Sequence, residues 1–206
     1  MAYPYQLDVF EDDSKITFII PSVNRPTLVN SINSLLNQTN PNWNCIIVYD
    51  GVKGAQFDDK RIKTINIEKT GLFGPINGQS GLVRNIGIKE ANTKWIGFLD
   101  DDDNLHPDYI KDLFEKYNDY DFVVWRMRYE NDLILPKLTS NELIRGQVGI
   151  SFCYKNKFNN LLFDSNKDGE DFDFLLKLKN LTTNYIITPE VYYNVGNTTN
   201  IPQYAL

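Results

Sequence analysis

The chain has 206 residues, of which 42% are hydrophobic, 13% aromatic and 23% charged. That length suits one ordinary domain, and that balance excludes a disordered, collagenous or coiled-coil chain. The formal net charge of −6, from 21 Lys and Arg against 27 Asp and Glu, argues against the basic surface that duplex binding requires, so no nucleic-acid partner is expected.

The opening stretch MAYPYQLDVFEDD has neither the basic n-region nor the apolar h-region of a secretion signal. No apolar run approaches the ~18 residues that cross a bilayer, so the expected location is cytoplasmic, at most peripheral to the cytoplasmic face of a membrane. Cys45 and Cys153 lie in apolar, strand-like runs and read as buried, reduced thiols. The run KITFII (15–20), stopped by Pro21, predicts a buried strand. After PSVNRP, the stretch Thr27 to Gln38 sets Leu28, Ile32, Leu35 and Leu36 at helical spacing. NCIIVYDG (44–51) is a second strand, and strand, crossover helix, strand is the unit of a parallel sheet. RIKTINI (61–67) is a third strand. A loop rich in glycine, from Gly71 to Gly81, leads into the helix GLVRNIGIKEAN, then TKWIGFLDDDD (93–103) runs as a strand into four aspartates. PDYIKDLFEKY is an amphipathic helix with Pro107 near its start. A fifth strand, Phe122 to Arg128, completes an α/β half over about residues 15–130. The remainder, about 131–206, reads as a mixed second lobe: a strand over 146–155, a helix over 170–180 with Phe174, Leu175 and Leu178 inward, and a broken strand pair over 184–195.

Alternation along a strand end would turn Asp100 and Asp102 to one side and Asp101 and Asp103 to the other. A carboxylate pair at the carboxyl end of a central strand stands where an open α/β sheet builds its ligand site. Four adjacent acids repel, a divalent ion offsets that repulsion, and oxygen-only ligation suits Mn²⁺ or Mg²⁺. A second acidic run, Asp164 to Phe174, starts like a calcium loop but has Leu175 where a bidentate Glu is needed; its acids also suit the first turn of a helix. Asp100 to Asp103 together with Asp168, Glu170, Asp171 and Asp173 account for eight of the acids, so the acid excess is local.

The blocks ITFIIPSVNRPTLVNSINSLLNQ, IIVYDG, GLVRNIGIKEANTKWIGFLDDDDNLHPDYI and DGEDFDFLLKL, in this order over about residues 15–180, resemble the family 2 glycosyltransferases. The resemblance implies a single-domain GT-A fold: a Rossmann-like, mostly parallel central sheet flanked by helices, with a small mixed acceptor lobe. It also implies a nucleotide-diphosphate-sugar donor, usually a UDP-sugar, a divalent metal, and transfer with inversion to a hydroxyl on a carbohydrate or glycoconjugate acceptor. Matched position by position, Pro21, Val23 and Arg25 of PSVNRP would line the nucleotide pocket. Asp50 would face the base or ribose, and Arg84 the nucleotide or its phosphates. Asp100 and Asp102 match the Asp-x-Asp metal motif, with Asp100 and Asp101 also on the donor side, and Asp171 matches the catalytic base. The chain departs from the family where an aromatic often replaces Val23, where two acids often replace Tyr49-Asp50, and in having only His106 as a histidine, better suited to capping than to ligation. A sugar nucleotidyltransferase would share the acidic site, but it calls for a glycine-rich phosphate loop that PSVNRP lacks. An inactive nucleotide-sugar or glycan-binding module would not need both the Asp-x-Asp and Asp171.

Overall fold

Ile16, Phe18, Ile19 and Ile20 are sealed from solvent, as expected of a parallel strand covered on both faces. They belong to β1 (Asp12–Ser22) of a computed structural model that describes residues 12–70, 79–164 and 169–196. Helix α1 (Leu28–Leu36) crosses to β2 (Trp43–Asp50), and β3 (Ile62–Ile67) follows. Helix α2 (Gln79–Glu90) leads to β4 (Thr93–Phe98), a two-residue β5 (Asn104–Leu105) and α3 (Tyr109–Lys116). Then come β6 (Phe122–Arg128), β7 (Ile134–Leu135), β8 (Phe152–Lys155), a single 3₁₀ turn, α4 (Glu170–Leu181) and β9 (Tyr185–Asn194). Among the described residues these strands form one sheet in the order β3-β2-β1-β4-β8-β6-β9-β5, with β7 beside β6.

The strands from β3 to β4 run parallel. Adjacent residues of β1 serve opposite faces, Phe18 meeting Tyr109 of α3 and Ile19 meeting Gly87 of α2. Leu28, Ile32 and Leu35 of α1 are buried as their spacing requires, whereas Leu36 is exposed. Phe174, Leu175 and Leu178 of α4 point inward as expected, and Phe174 stacks on Phe163 with ring centroids 4.4 Å apart. Both cysteines are buried and free. No described helix is long and apolar enough to cross a membrane.

The structure departs from the sequence expectations in four places. β1 does not stop at Pro21 but runs to Ser22. The carbonyl of Ile19 accepts from Leu99, so Pro21, two residues on, turns its donor-less nitrogen to the same side, where pairing with β4 has already ended. The fifth strand, β6, does not sit beside β4, because the four-residue β8 enters between them antiparallel to both. Only residues 152–155 of the 146–155 run are strand. The last segment is one strand whose register against β6 shifts between Val124 and Arg126, around Pro189, which cannot donate to the ladder.

Helix α2 lies so close to β1 that a Cβ on Gly87 would stand 2.5 Å from Cγ2 of Ile19. Overpacking of this kind costs about 1–3 kcal/mol, against a helix-propensity gain for alanine of about 1 kcal/mol. Gly87→Ala is therefore expected to lower the urea midpoint, where an exposed helical Gly→Ala would raise it.

Candidate active site

The four aspartates do not continue β4. They form a turn closed by the Asp103 N–H donating to the Asp100 carbonyl at 3.1 Å. The division foreseen from strand alternation still holds, with a turn as its cause: Asp101 and Asp103 are buried, while the Asp100 and Asp102 side chains are 33% and 20% exposed. Every element around the turn holds it. Oγ of Ser31, in α1, lies 2.7 Å from the Asp103 carbonyl and 3.1 Å from that of Asp100. Asp101 accepts from Ser22 at 2.7 Å, from Arg25 at 3.0 Å and from the Val23 backbone. Asp103 accepts the Gly196 N–H at 2.9 Å, and the Tyr193 hydroxyl bridges Asp103 and the Asp100 N–H.

Arg84, on α2, is 3% exposed and reaches both acidic runs. Its Nη2 donates to Asp100 at 2.6 Å and its Nη1 to Glu170 at 2.9 Å, with Oδ1 of Asp171 3.5 Å from the same Nη1. Gly81 permits the approach of the two helices: a Cβ there would stand 2.5 Å from Oε2 of Glu170. Glu170, Asp171 and Asp173 occupy the first turn of α4, where the helix dipole favours acids.

Burial, opposed by Arg84, raises Asp171 to about 6. Burial raises Glu170 to about 7, again opposed by Arg84 and reinforced by Asp171 and Asp100. Burial would lower Arg84, but Asp100, Asp171 and Glu170 override it and push the guanidinium up. Asp101 and Asp102 are raised, first by burial. Burial also lifts Asp103 to about 8. Of the two helix acids, Glu170 is 10% exposed and hydrogen-bonded to Arg84 through Oε1, whereas Asp171 is 27% exposed; one buried oxygen of each, Glu170 Oε2 and Asp171 Oδ1, has no hydrogen-bond partner among the described residues.

Among the described residues no three His, Cys, Asp or Glu side chains form a ready group for a metal ion. Two accessible carboxylates, Asp100 and Asp102, are offered, each with one oxygen on an arginine. Among the described residues, Asp100, Asp101, Asp102, Glu170 and Asp171 share only two guanidinium groups, Arg25 and Arg84. An all-oxygen site with this excess of negative charge fits a hard divalent cation whose remaining positions are filled by other oxygens.

The other expected residues divide. Arg25, half exposed, joins Asp101 to Asp102, and Pro21 lies within β1, one residue before its end at Ser22. Val23 is exposed. Asp50, at the carboxyl end of β2, accepts the Thr70 N–H at 2.7 Å and the Thr70 hydroxyl at 3.0 Å, with no bond to the acidic turn. Arg84 has carboxylate partners on both Nη atoms. His106 stacks on Tyr192, 4.4 Å between centroids, and its Nδ1 accepts the Asp108 N–H just ahead of α3, without capping a helical N–H. Gly71, Gly74 and Gly78 lie outside the described residues, as do Asn166 and Asp168 of the calcium-like run. Sequence reasoning missed Ser22, Ser31, Tyr193 and the Arg84–Glu170 pair; the one available signal was the Glu beside Asp171.

The model of glycosyl transferase family 2 matches residues 17–177. The chain belongs to this family. It is 35% identical over 99 residues to the UDP-Glc:alpha-D-GlcNAc-diphosphoundecaprenol beta-1,3-glucosyltransferase WfgD of Escherichia coli, covering 45% of this chain and 36% of WfgD. It is 27% identical over 212 residues to the poly(ribitol-phosphate) beta-N-acetylglucosaminyltransferase TarP of Staphylococcus aureus, covering 89% of this chain and 63% of TarP. The crystal structure of S. aureus TarS in complex with UDP-GlcNAc superposes with a TM-score of 0.71 at 18% identity, over 90% of this chain and 59% of that one, a likeness of fold. The chain thus spans less than two thirds of the length of each of these relatives.

Glu170 and Asp171 titrate above their unfolded values, near 4, so folding takes up protons between about pH 4 and the folded values of about 7 and 6. Their contribution to stability is fullest at low pH and declines as pH rises through that window. Arg84 limits the decline by pairing the ionised forms. In EDTA, Arg84→Met is expected to cost about 3–5 kcal/mol at pH 8, the usual penalty for orphaning buried charges, and clearly less at pH 5, where both acids are protonated. Thermal unfolding at the two pH values checks this.

Proposed function

We propose that the chain is an inverting, metal-dependent glycosyltransferase. It moves a sugar from a nucleotide-diphosphate donor, a UDP-sugar, to a hydroxyl of a glycan or glycoconjugate, with Asp171 as general base. The observation that carries this reading is that one buried guanidinium holds the metal-motif carboxylate Asp100 and the base candidate Asp171 in a single site. Family membership, the UDP-GlcNAc complex of TarS and the UDP-glucose donor named for WfgD support the donor class.

Departure of a diphosphate from the anomeric carbon develops negative charge on the leaving group. Asp100 and Asp102 would hold a Mn²⁺ or Mg²⁺ ion, which when bound neutralises that charge without a proton. Arg25, half exposed beside Asp102, presents a second cation to the same side. An acceptor hydroxyl is a weak nucleophile at neutral pH, and a base titrating near 6 is largely ionised there while keeping a useful affinity for the proton. The ion pair with Arg84 holds Asp171 in the site, and its partly exposed carboxylate is open to a hydroxyl proton.

Two outcomes are expected. UDP or a UDP-sugar with Mn²⁺ should raise the thermal midpoint of the wild type, and in Asp102→Ala the Mn²⁺-dependent part of that rise should vanish. Asp171→Asn should keep the donor-induced rise while transfer to acceptor drops by about 10²–10⁴-fold, the usual contribution of a general base; near-normal transfer would remove Asp171 from that role.

A further inference from the structure

A cleft of about 570 Å³, in the size range of small-molecule sites, contains none of the acidic-turn residues. Its walls are Arg126 of β6, Leu138 and Asn141 of the loop after β7, and Tyr185, Ile187 and Pro189 of β9. Arg126 is 2% exposed, and among the described residues no carboxylate pairs with it. Its Nη1 donates to the carbonyls of Pro136 at 2.7 Å and Lys137 at 2.6 Å. Its Nη2 donates to the Ser140 carbonyl and to Oδ1 of Asn141, both at 3.1 Å. Its Nε is sealed and has no partner.

Anchoring the loop accounts for the carbonyl contacts but not for the charge. Carbonyl dipoles satisfy donors, yet a buried cation without a counter-ion remains costly. Burial lowers the Arg126 guanidinium from its usual value, and no acid opposes that shift. Of its four acceptors only Asn141 Oδ1 belongs to a side chain, and Asn141 lines the cleft. An anionic oxygen in its place would keep the bond count and neutralise the charge, and the planar guanidinium suits both phosphate and carboxylate. The apolar walls would cover the carbon skeleton that carries the anion.

A short stretch of chain links the cleft wall to the helix that carries the candidate base. Arg145, four residues beyond Asn141, pairs with Asp173 and lies 4.7 Å over the Phe172 ring, both on α4 one turn or less from Asp171. Four residues span at most about 14 Å. We propose that the Arg126 cleft is an acceptor-side subsite for an anionic group, a phosphate or carboxylate carried on a sugar or polyol. Assigning it to the acceptor rests on the glycosyl-transfer reading; anion binding at Arg126 does not.

The test is thermal unfolding in EDTA, at fixed ionic strength, with 10 mM glycerol 3-phosphate or glucuronate against glycerol and glucose. Either acid should raise the midpoint by about 2–4 °C, and the neutral compounds should not. Because Arg126 variants lose loop contacts, the site is probed by Asn141→Asp, which supplies a built-in carboxylate, and by Leu138→Trp, which narrows the cleft. Asn141→Asp should raise the ligand-free midpoint, and both variants should lose the anion response. No response in the wild type, or an undiminished one in both variants, overturns the proposal. An anion response lost in the variants, together with no response of the wild type to a UDP-sugar and Mn²⁺, would leave the anion site standing while the glycosyl-transfer reading fails.

Discussion

The guanidinium of Arg84 is the interaction on which the rest of the site depends. It is buried, and it binds Asp100, 16 residues away in sequence, and Glu170, 86 residues away. Without a fixed cation, the acidic turn and the first turn of α4 would repel each other across a poorly solvated gap. Its position is set in turn by the close seating of α2 on β1 at Gly87 and on Glu170 at Gly81. Core packing therefore determines how the two acidic runs face each other.

Within the turn, burial divides identical residues into two kinds. Asp101 and Asp103 are consumed by the fold: one ties the end of β1 through Ser22 and Arg25, the other ties the end of β9 through Tyr193 and Gly196. Asp100 and Asp102 remain accessible to a ligand. Glu170 and Asp171 repeat the division on α4. A run of acids that repels itself in the unfolded chain thus becomes ordered because several elements of the domain each neutralise or bond one member.

The parallel half of the sheet was legible because each of its elements declares itself locally, through β-branched runs ended by turns and through apolar residues at helical spacing. The inward face of α4 was legible for the same reason. The insertion of β8 between β4 and β6 was not, since four residues of strand carry no record of which neighbours they pair with across half the chain. The continuation of β1 through Pro21 depends on where a neighbouring strand ends, which is tertiary information. At the site, the spacing of Asp100 and Asp102 and the Glu-Asp pair on α4 were readable, and they coincide with the stretch that the family model matches. The partners of Arg84 were not, because a lone arginine on a helix reads equally as a surface charge, a phosphate contact or a buried hub. Only the fold brings Asp100 and Glu170 to its two ends.

The most direct test of the account is Mn²⁺ uptake followed by electron paramagnetic resonance in the presence of UDP. About one tightly held Mn²⁺ per chain is expected in the wild type and in Asp171→Asn, with loss of that uptake when Asp100 and Asp102 are both replaced by alanine in a folded protein. Undiminished Mn²⁺ uptake by the double variant would contradict it.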